Sequence, residues 1–142
     1  MIEVELRNIR GCPAAIGSAG AHTLVVDRPV EAGGGGLGFN GGKLLYLAVA
    51  GCVSNDLFRE AQAQGIELSS VRVRVRGDFS GGPPVSGSVD YEVEIEGNAT
   101  PDRLRALVDH VDRIAEIPNS LRAGAAVNLR ASRVVESLPT SP

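Results

Sequence analysis

Side chains able to do nucleophilic or metal chemistry are sparse in this sequence: two cysteines, Cys12 and Cys52, and two histidines, His22 and His110. A structural zinc site gathers four close-set ligands, usually around a CxxC element, and none occurs, so no metal or other cofactor is expected. Two cysteines are also too few for a disulfide scaffold. What stays open is thiol chemistry, in which a thiolate acts as nucleophile or redox group in a reducing compartment. A second chemical candidate is the run Gly33-Gly34-Gly35-Gly36-Leu37-Gly38, since glycines let backbone N–H groups approach an anion. No GxxxxGK[ST] follows it, because Lys43 precedes Leu44, so the run reads as a flexible connector into a helix.

Cys52 lies within the segment the pattern makes most informative. From Lys43 to Gln64 the chain carries Leu44, Leu45, Leu47, Val49, Cys52, Val53, Leu57, Phe58 and Ala61. Its first half is apolar nearly all round, which predicts a buried central helix over 42–65 that becomes amphipathic after Ser54 and stops at Gly65. Before it, residues 2–8 alternate with period two and 21–27 form a second strand, joined through a turn at Gly11-Cys12-Pro13 and expected to pair as antiparallel neighbours. After it, Val71, Val73 and Val75 alternate with Arg72, Arg74 and Arg76, and Val89, Tyr91, Val93 and Ile95 alternate with Asp90, Glu92, Glu94 and Glu96. Opposite charges on successive strands predict cross-strand ion pairs, not a binding surface.

Thr100-Pro101 marks a helix start, with Leu104, Leu107, Val108, Val111 and Ile114 at helical spacing. Pro118 is expected to end that helix, Asn119-Ser120-Leu121 to form a short turn, and a last strand to run near Ala125–Val135. The whole is a single α+β domain over 1–142: N-terminal strands over 1–30, the central helix, a β-β-α-β portion over 70–136, and a frayed tail at 137–142.

Length and charge exclude several classes. A chain of 142 residues suits one domain, and its net charge of −3 with 4% aromatics offers neither a basic footprint nor stacking platforms for nucleic acid. No apolar run is long enough for a transmembrane helix, and the N-terminus reads as a strand and not as a signal peptide, so a cytoplasmic protein is expected. A helix this apolar is hard for one small chain to cover, which predicts an intertwined homodimer.

The stretch Gly33–Gly65 resembles the central signature of the OsmC/Ohr superfamily of thiol-dependent hydroperoxide reductases. There a glycine-rich turn leads through an Asn-containing segment into a helix bearing a small-small-Cys element. Here the corresponding residues are Leu37, Asn40 and Ala50-Gly51-Cys52, flanked by Leu24–Pro29 and by the Val71–Val75 strand. The resemblance implies antiparallel sheets wrapped around the central helix of an intertwined homodimer, with a thiol at the interface. It gives Cys52 the role of the peroxide-attacking cysteine.

A second family cysteine belongs to a Cys-Pro element, which falls near Ile117-Pro118-Asn119-Ser120-Leu121; no cysteine stands there. The Ohr-branch glutamate, two residues after the Asn matched by Asn40, is Gly42 here. The family's thiol-activating arginine corresponds to Arg10 or Arg28. Cys12, close to Arg10, is a candidate resolving thiol, against the plainer reading of a surface thiol.

Burial favours a neutral thiol, and Asp56, one turn beyond Cys52, would add to that if it faces the sulfur; only a nearby cation would oppose it. Without one, Cys52 is a small buried hydrophobe. Two functions follow. One is reduction of small apolar hydroperoxides with an external thiol reductant. The other is a non-catalytic dimer that binds a small apolar ligand, with Cys52 structural; a thiol enzyme acting on another electrophile stays open beside them.

Overall fold

The computed structural model describes residues 1–137, and all but the first residue of the tail expected at 137–142 lies outside the described residues. The chain opens with a three-stranded antiparallel sheet of β1 (Glu5–Asn8), β2 (Ala15–Ala19) and β3 (His22–Val26), in that spatial order. The first strand and the strand around 21–27 are therefore not neighbours; β2 lies between them and pairs with both. Ala15-Ile16-Gly17-Ser18-Ala19 holds a single strong strand former, so its propensity does not mark it, and the two flanking ladders make it a strand. Ala19 pairs with His22 across a two-residue loop in which Gly20, at φ 58°, supplies the left-handed residue such a hairpin needs.

The glycine run is a connector, as its sequence suggests, and its amides do turn toward an anion. The anion is the chain's own Asp27. That buried carboxylate accepts from Arg28 N at 2.8 Å, Gly35 N at 3.0 Å and Leu37 N at 3.1 Å, so the loop is wrapped on a fixed internal charge. Asn40 then caps the long helix α1 (Gly41–Ala63), its side chain accepting from Lys43 N at 2.9 Å. At the other end Ile66 N bonds to Ala61 O and Gly65 N to Gln62 O, with Gly65 at φ 67°. This is the glycine stop expected there, and Ile66 turns back into the core.

Strands β4 (Leu68–Ser80) and β5 (Val85–Gly97) form a long hairpin. Val71 faces Ile95, Val73 faces Val93 and Val75 faces Tyr91, while Arg72 faces Glu94 and Arg74 faces Glu92. The outer row carries the ion pairs expected: Arg72–Glu94 and Arg74–Glu92 at 3.6 Å, and Arg76–Glu92 at 3.7 Å. Helix α2 (Pro101–Ile114) begins at Thr100, whose hydroxyl accepts from Arg103 N. It ends at Ala115 and not at Pro118. A further helix α3 (Glu116–Arg122) follows, with Pro118 in its first turn, where no N–H is required of it, so Asn119-Ser120-Leu121 is helical and not a turn.

Val53, Leu57, Ala61 and Ile66 from α1 and its stop pack with Leu107, Val111 and Ala115 against the inner face of the hairpin. One expectation fails, that of a last strand, and the central helix is left partly open in the single chain. The first half of α1 is covered on one side only: Val49 is buried, but Leu47 is 48% exposed and Ala48 and Gly51 are also open. No strand forms over 125–135, although Val127 and Leu129 keep a strand-like alternation; they stand 97% and 88% exposed. The physical reason is shared: a strand needs a ladder partner and an apolar helix needs a second cover, and one chain supplies neither.

Candidate functional site

Cys52 sits on the stripe of α1 that faces α3, half-buried against the core. Val49 and Val53 bracket it and Asp56 lies one turn further, so the helical period stacks sulfur and carboxylate on one side. Asp56 does face the sulfur. The Cys52 sulfur lies 4.0 Å from Asp56 Oδ2, and Ile117 N donates to the sulfur at 3.5 Å. The segment to which the resemblance assigned the second cysteine thus lies directly over Cys52.

Asp56 is 5% exposed, and a buried carboxylate requires a counter-charge. Arg59 supplies it, three residues on, with its guanidinium 2.6 Å from Asp56 Oδ1. The same guanidinium donates to Glu60 at 2.9 Å, and Glu60 meets His110 Nε2 at 2.9 Å. The hydrogen bond to Glu60 leads the causes that hold Arg59 above its ordinary range. In return, the bonds from Arg59 and then His110 hold the Glu60 carboxyl below its own. A chain of contacts therefore runs from the sulfur through Asp56, Arg59 and Glu60 to a histidine on α2.

The other candidates lie elsewhere. Arg10 is exposed in the turn after β1, and Arg28 is exposed before the glycine loop. Among the described residues, the sulfur's hydrogen-bond partners are Asp56 and Ile117, and neither arginine reaches it within the chain. Cys12 is in the β1–β2 turn, held by its backbone to Ile9 and Asn8, and both cysteines are free thiols. Gly42, the position of the Ohr-branch glutamate, is closed by Phe79: a Cβ there would stand 3.0 Å from the ring, which stacks on Tyr46.

One helical turn from Cys52, which does not itself line it, a groove of about 360 Å³ runs between α1, β5 and α3, lined by Leu45, Val49, Val89, Pro118 and Leu121 and by the more polar Ser86, Tyr91 and Arg122. Val49 is one turn before Cys52, and Pro118 follows Ile117. At the groove's polar end the Tyr91 hydroxyl donates to Asp112, which Arg122 grips at 2.6 Å. Burial, and then the Asp112 hydrogen bond, pushes the Tyr91 hydroxyl up to about 12, while Tyr91 and Arg122 hold the Asp112 carboxyl low. Sequence reading missed this triad and the Arg59–Glu60–His110 chain. The only signal for the latter was the i, i+3 spacing of Asp56 and Arg59, common on any helix.

With this geometry in hand, the OsmC-like protein family model matches residues 33–130, which takes in the glycine loop, Cys52 and the α3 segment over it. The chain belongs to the OsmC-like family. The fold agrees with solved structures at low identity. An OsmC-like protein from Mycoplasma pneumoniae is 17% identical with a TM-score of 0.73, covering 88% of this chain and 89% of that one. An organic hydroperoxide resistance protein OsmC from Legionella pneumophila is 19% identical with a TM-score of 0.60, covering 86% and 89%. An organic hydroperoxide resistance protein from Elizabethkingia anophelis is 16% identical with a TM-score of 0.59, covering 87% and 89%. No curated protein matches the chain in sequence. Among the described residues, this OsmC-like chain has no helix long and apolar enough to cross a membrane.

Proposed function

We propose that this OsmC-like protein reduces organic hydroperoxides through Cys52, as a homodimer in a reducing cytoplasm, with an external thiol as reductant. The observation that carries the reading is the half-buried Cys52 sulfur lying under Ile117, one helical turn from a groove that Val49 and Pro118 line. The Cys52 thiolate attacks one peroxide oxygen and the O–O bond breaks. The departing alkoxide takes a proton and leaves as the alcohol, and Cys52 becomes a sulfenic acid. One external thiol condenses with it, releasing water, and a second frees Cys52 and leaves as part of a disulfide. The external thiol is needed because no cysteine stands in α3 and Cys12 does not touch Cys52 within the chain. A groove lined by Leu45, Val89 and Leu121 favours an alkyl hydroperoxide over hydrogen peroxide, which gains nothing from an apolar wall.

Support for the homodimer comes from apolar surface that a lone chain leaves open: Leu6, Leu24, Leu47, Val127 and Leu129. A second copy covering α1 would also bring its own Arg10 or Arg28 within range of the sulfur, in the thiolate-stabilising role.

The decisive experiment treats reduced protein with stoichiometric cumene hydroperoxide and follows intact mass and free thiols, beside a Cys52→Ser variant. Rapid oxidation that requires Cys52 is the expected result, with reduction restored by added dithiol. A Cys52 thiol that survives a large peroxide excess would sink the enzyme reading and leave a dimer that binds an apolar ligand.

A further inference from the structure

The proposed chemistry makes no use of Asp56, although it is the one buried carboxylate on α1 and it points at the reacting sulfur. Burying a carboxylate is costly, and nothing in helix formation or core packing calls for one at this position. Val53 and Leu57, its neighbours on the helix, are the residues that fill the core. Asp56 is held in place by an arginine whose side chain is itself 56% exposed.

We infer that Asp56, partnered by Arg59, is a positioning residue that sets the reactivity of Cys52. The inference rests on Cys52 being the reactive thiol. The Cys52 sulfur stands 4.0 Å from Asp56 Oδ2, within reach to donate its S–H, and accepts from Ile117 N at 3.5 Å. A carboxylate at this distance opposes negative charge on sulfur, and a guanidinium bound to the carboxylate offsets that opposition. Asp56 therefore restrains the thiol, and Arg59 eases the restraint by acting through Asp56. Thiolate forms when the S–H proton leaves to solvent or to a base; no bond other than S–H is broken in the process.

Within the chain, the other charged groups around the sulfur do not take over this role, and an Arg10 or Arg28 from a second copy would act on the sulfur and not through Asp56. On α1, Glu60 is engaged with Arg59, and on α2, His110 reaches Glu60 and not Asp56. Asp112 and Arg122 are paired with each other. On α3, Glu116 is exposed, and its neighbour Ile117 offers only a backbone N–H. On β4 and β5 the arginines and glutamates occupy the outer face of the hairpin, paired among themselves, while Val71, Val73 and Val93 face the core.

The test is the rate of iodoacetamide alkylation of the Cys52 peptide, followed by mass spectrometry in the full-length protein from pH 5 to pH 10. Asp56→Asn keeps the shape and removes the charge. It is expected to raise the rate at pH 7 by roughly five- to tenfold and to move the whole rate–pH curve toward acid. Arg59→Gln is expected to lower the rate by a similar factor, and Arg59→Lys to restore it. The double variant Asp56→Asn/Arg59→Gln is expected to behave as Asp56→Asn alone, because Arg59 acts only through Asp56.

An Asp56→Asn rate equal to or below the parent's overturns the inference, as does an Arg59→Gln effect that persists in the Asp56→Asn background. Should Asp56→Asn fail to fold, the Arg59→Gln and Arg59→Lys pair still decides: equal rates in the two overturn it. The two readings fail separately. If cumene hydroperoxide leaves Cys52 intact while alkylation follows the expected pattern, the peroxidase reading falls and the positioning role stands. If peroxide oxidises Cys52 at a rate indifferent to Asp56 and Arg59, the reverse holds.

Discussion

The two halves of this molecule treat their apolar residues in opposite ways. In the body built from α1, β4, β5, α2 and α3, Leu57 and Leu107 are wholly out of solvent, in a core packed against the inner face of the hairpin. In the N-terminal sheet, Leu6, Ile16, Leu24 and Val25 are exposed, and its strands pack chiefly on one another. A groove of about 360 Å³ opens along Leu6, Leu24 and Val26 toward Leu44 of α1. The core of the body satisfies itself; the sheet, the first half of α1 and the segment around Val127 and Leu129 leave apolar side chains open. Secondary structure can thus be complete in a region whose burial is not, because ladders are local and cores are not.

The contrast is broken most strongly through the cores. Leu57→Ala should destabilise the protein by about 2–5 kcal/mol in urea denaturation, by the same amount at every protein concentration. Leu24→Ala should cost little by that measure at high dilution and substantially more at concentrations where the proposed homodimer persists. Equal, concentration-independent losses for the two variants would show that the sheet is already buried in the monomer.

A middle-sized effect lies at the junction of α2, α3 and β5. The Tyr91 hydroxyl is raised from 10.0 to about 12, so its protonated form is favoured by folding. Its contribution is fully present below the unfolded value and is lost as pH rises from 10.0 toward about 12. Absorbance titration of tyrosinate at alkaline pH should therefore show one tyrosine ionising late, and Asp112→Asn should bring it earlier. Asp112 itself is depressed below 3.8, so its contribution is present above that value and lost as pH falls through the folded one.

The smallest effect belongs to the outer face of the hairpin. Arg74→Gln removes an exposed ion pair and should change stability by no more than about 0.5 kcal/mol in the same urea assay, with less difference still at high salt. A larger loss would mean that this face is covered in the assembled protein.

Much of the body was legible in the sequence because its signals are local. Thr100-Pro101 caps a helix, Gly65 ends one, and the alternation of Val and Arg against Glu sets the register of a hairpin, all within reach of a few residues. Reading failed where a neighbour distant in sequence decides. Ala15–Ala19 is a strand because β1 and β3 flank it, and the break at Ala115 places Pro118 inside a new helix rather than at the end of the old one. At the site, Cys52 and the facing Asp56 follow from helical spacing. Ile117 over the sulfur and the Arg59–Glu60–His110 chain join elements far apart in sequence and carry no local mark.

By itself the sequence determined the two long helices, the β4–β5 hairpin, the one thiol set in an apolar helix and the family to which its signature belongs, since periodicity, caps and short motifs are properties of adjacent residues. Only the tertiary structure decided what surrounds that thiol. The α3 backbone donates to it, and a buried, arginine-held carboxylate stands near it. These are interactions between side chains and backbone that folding alone brings to within a few ångströms.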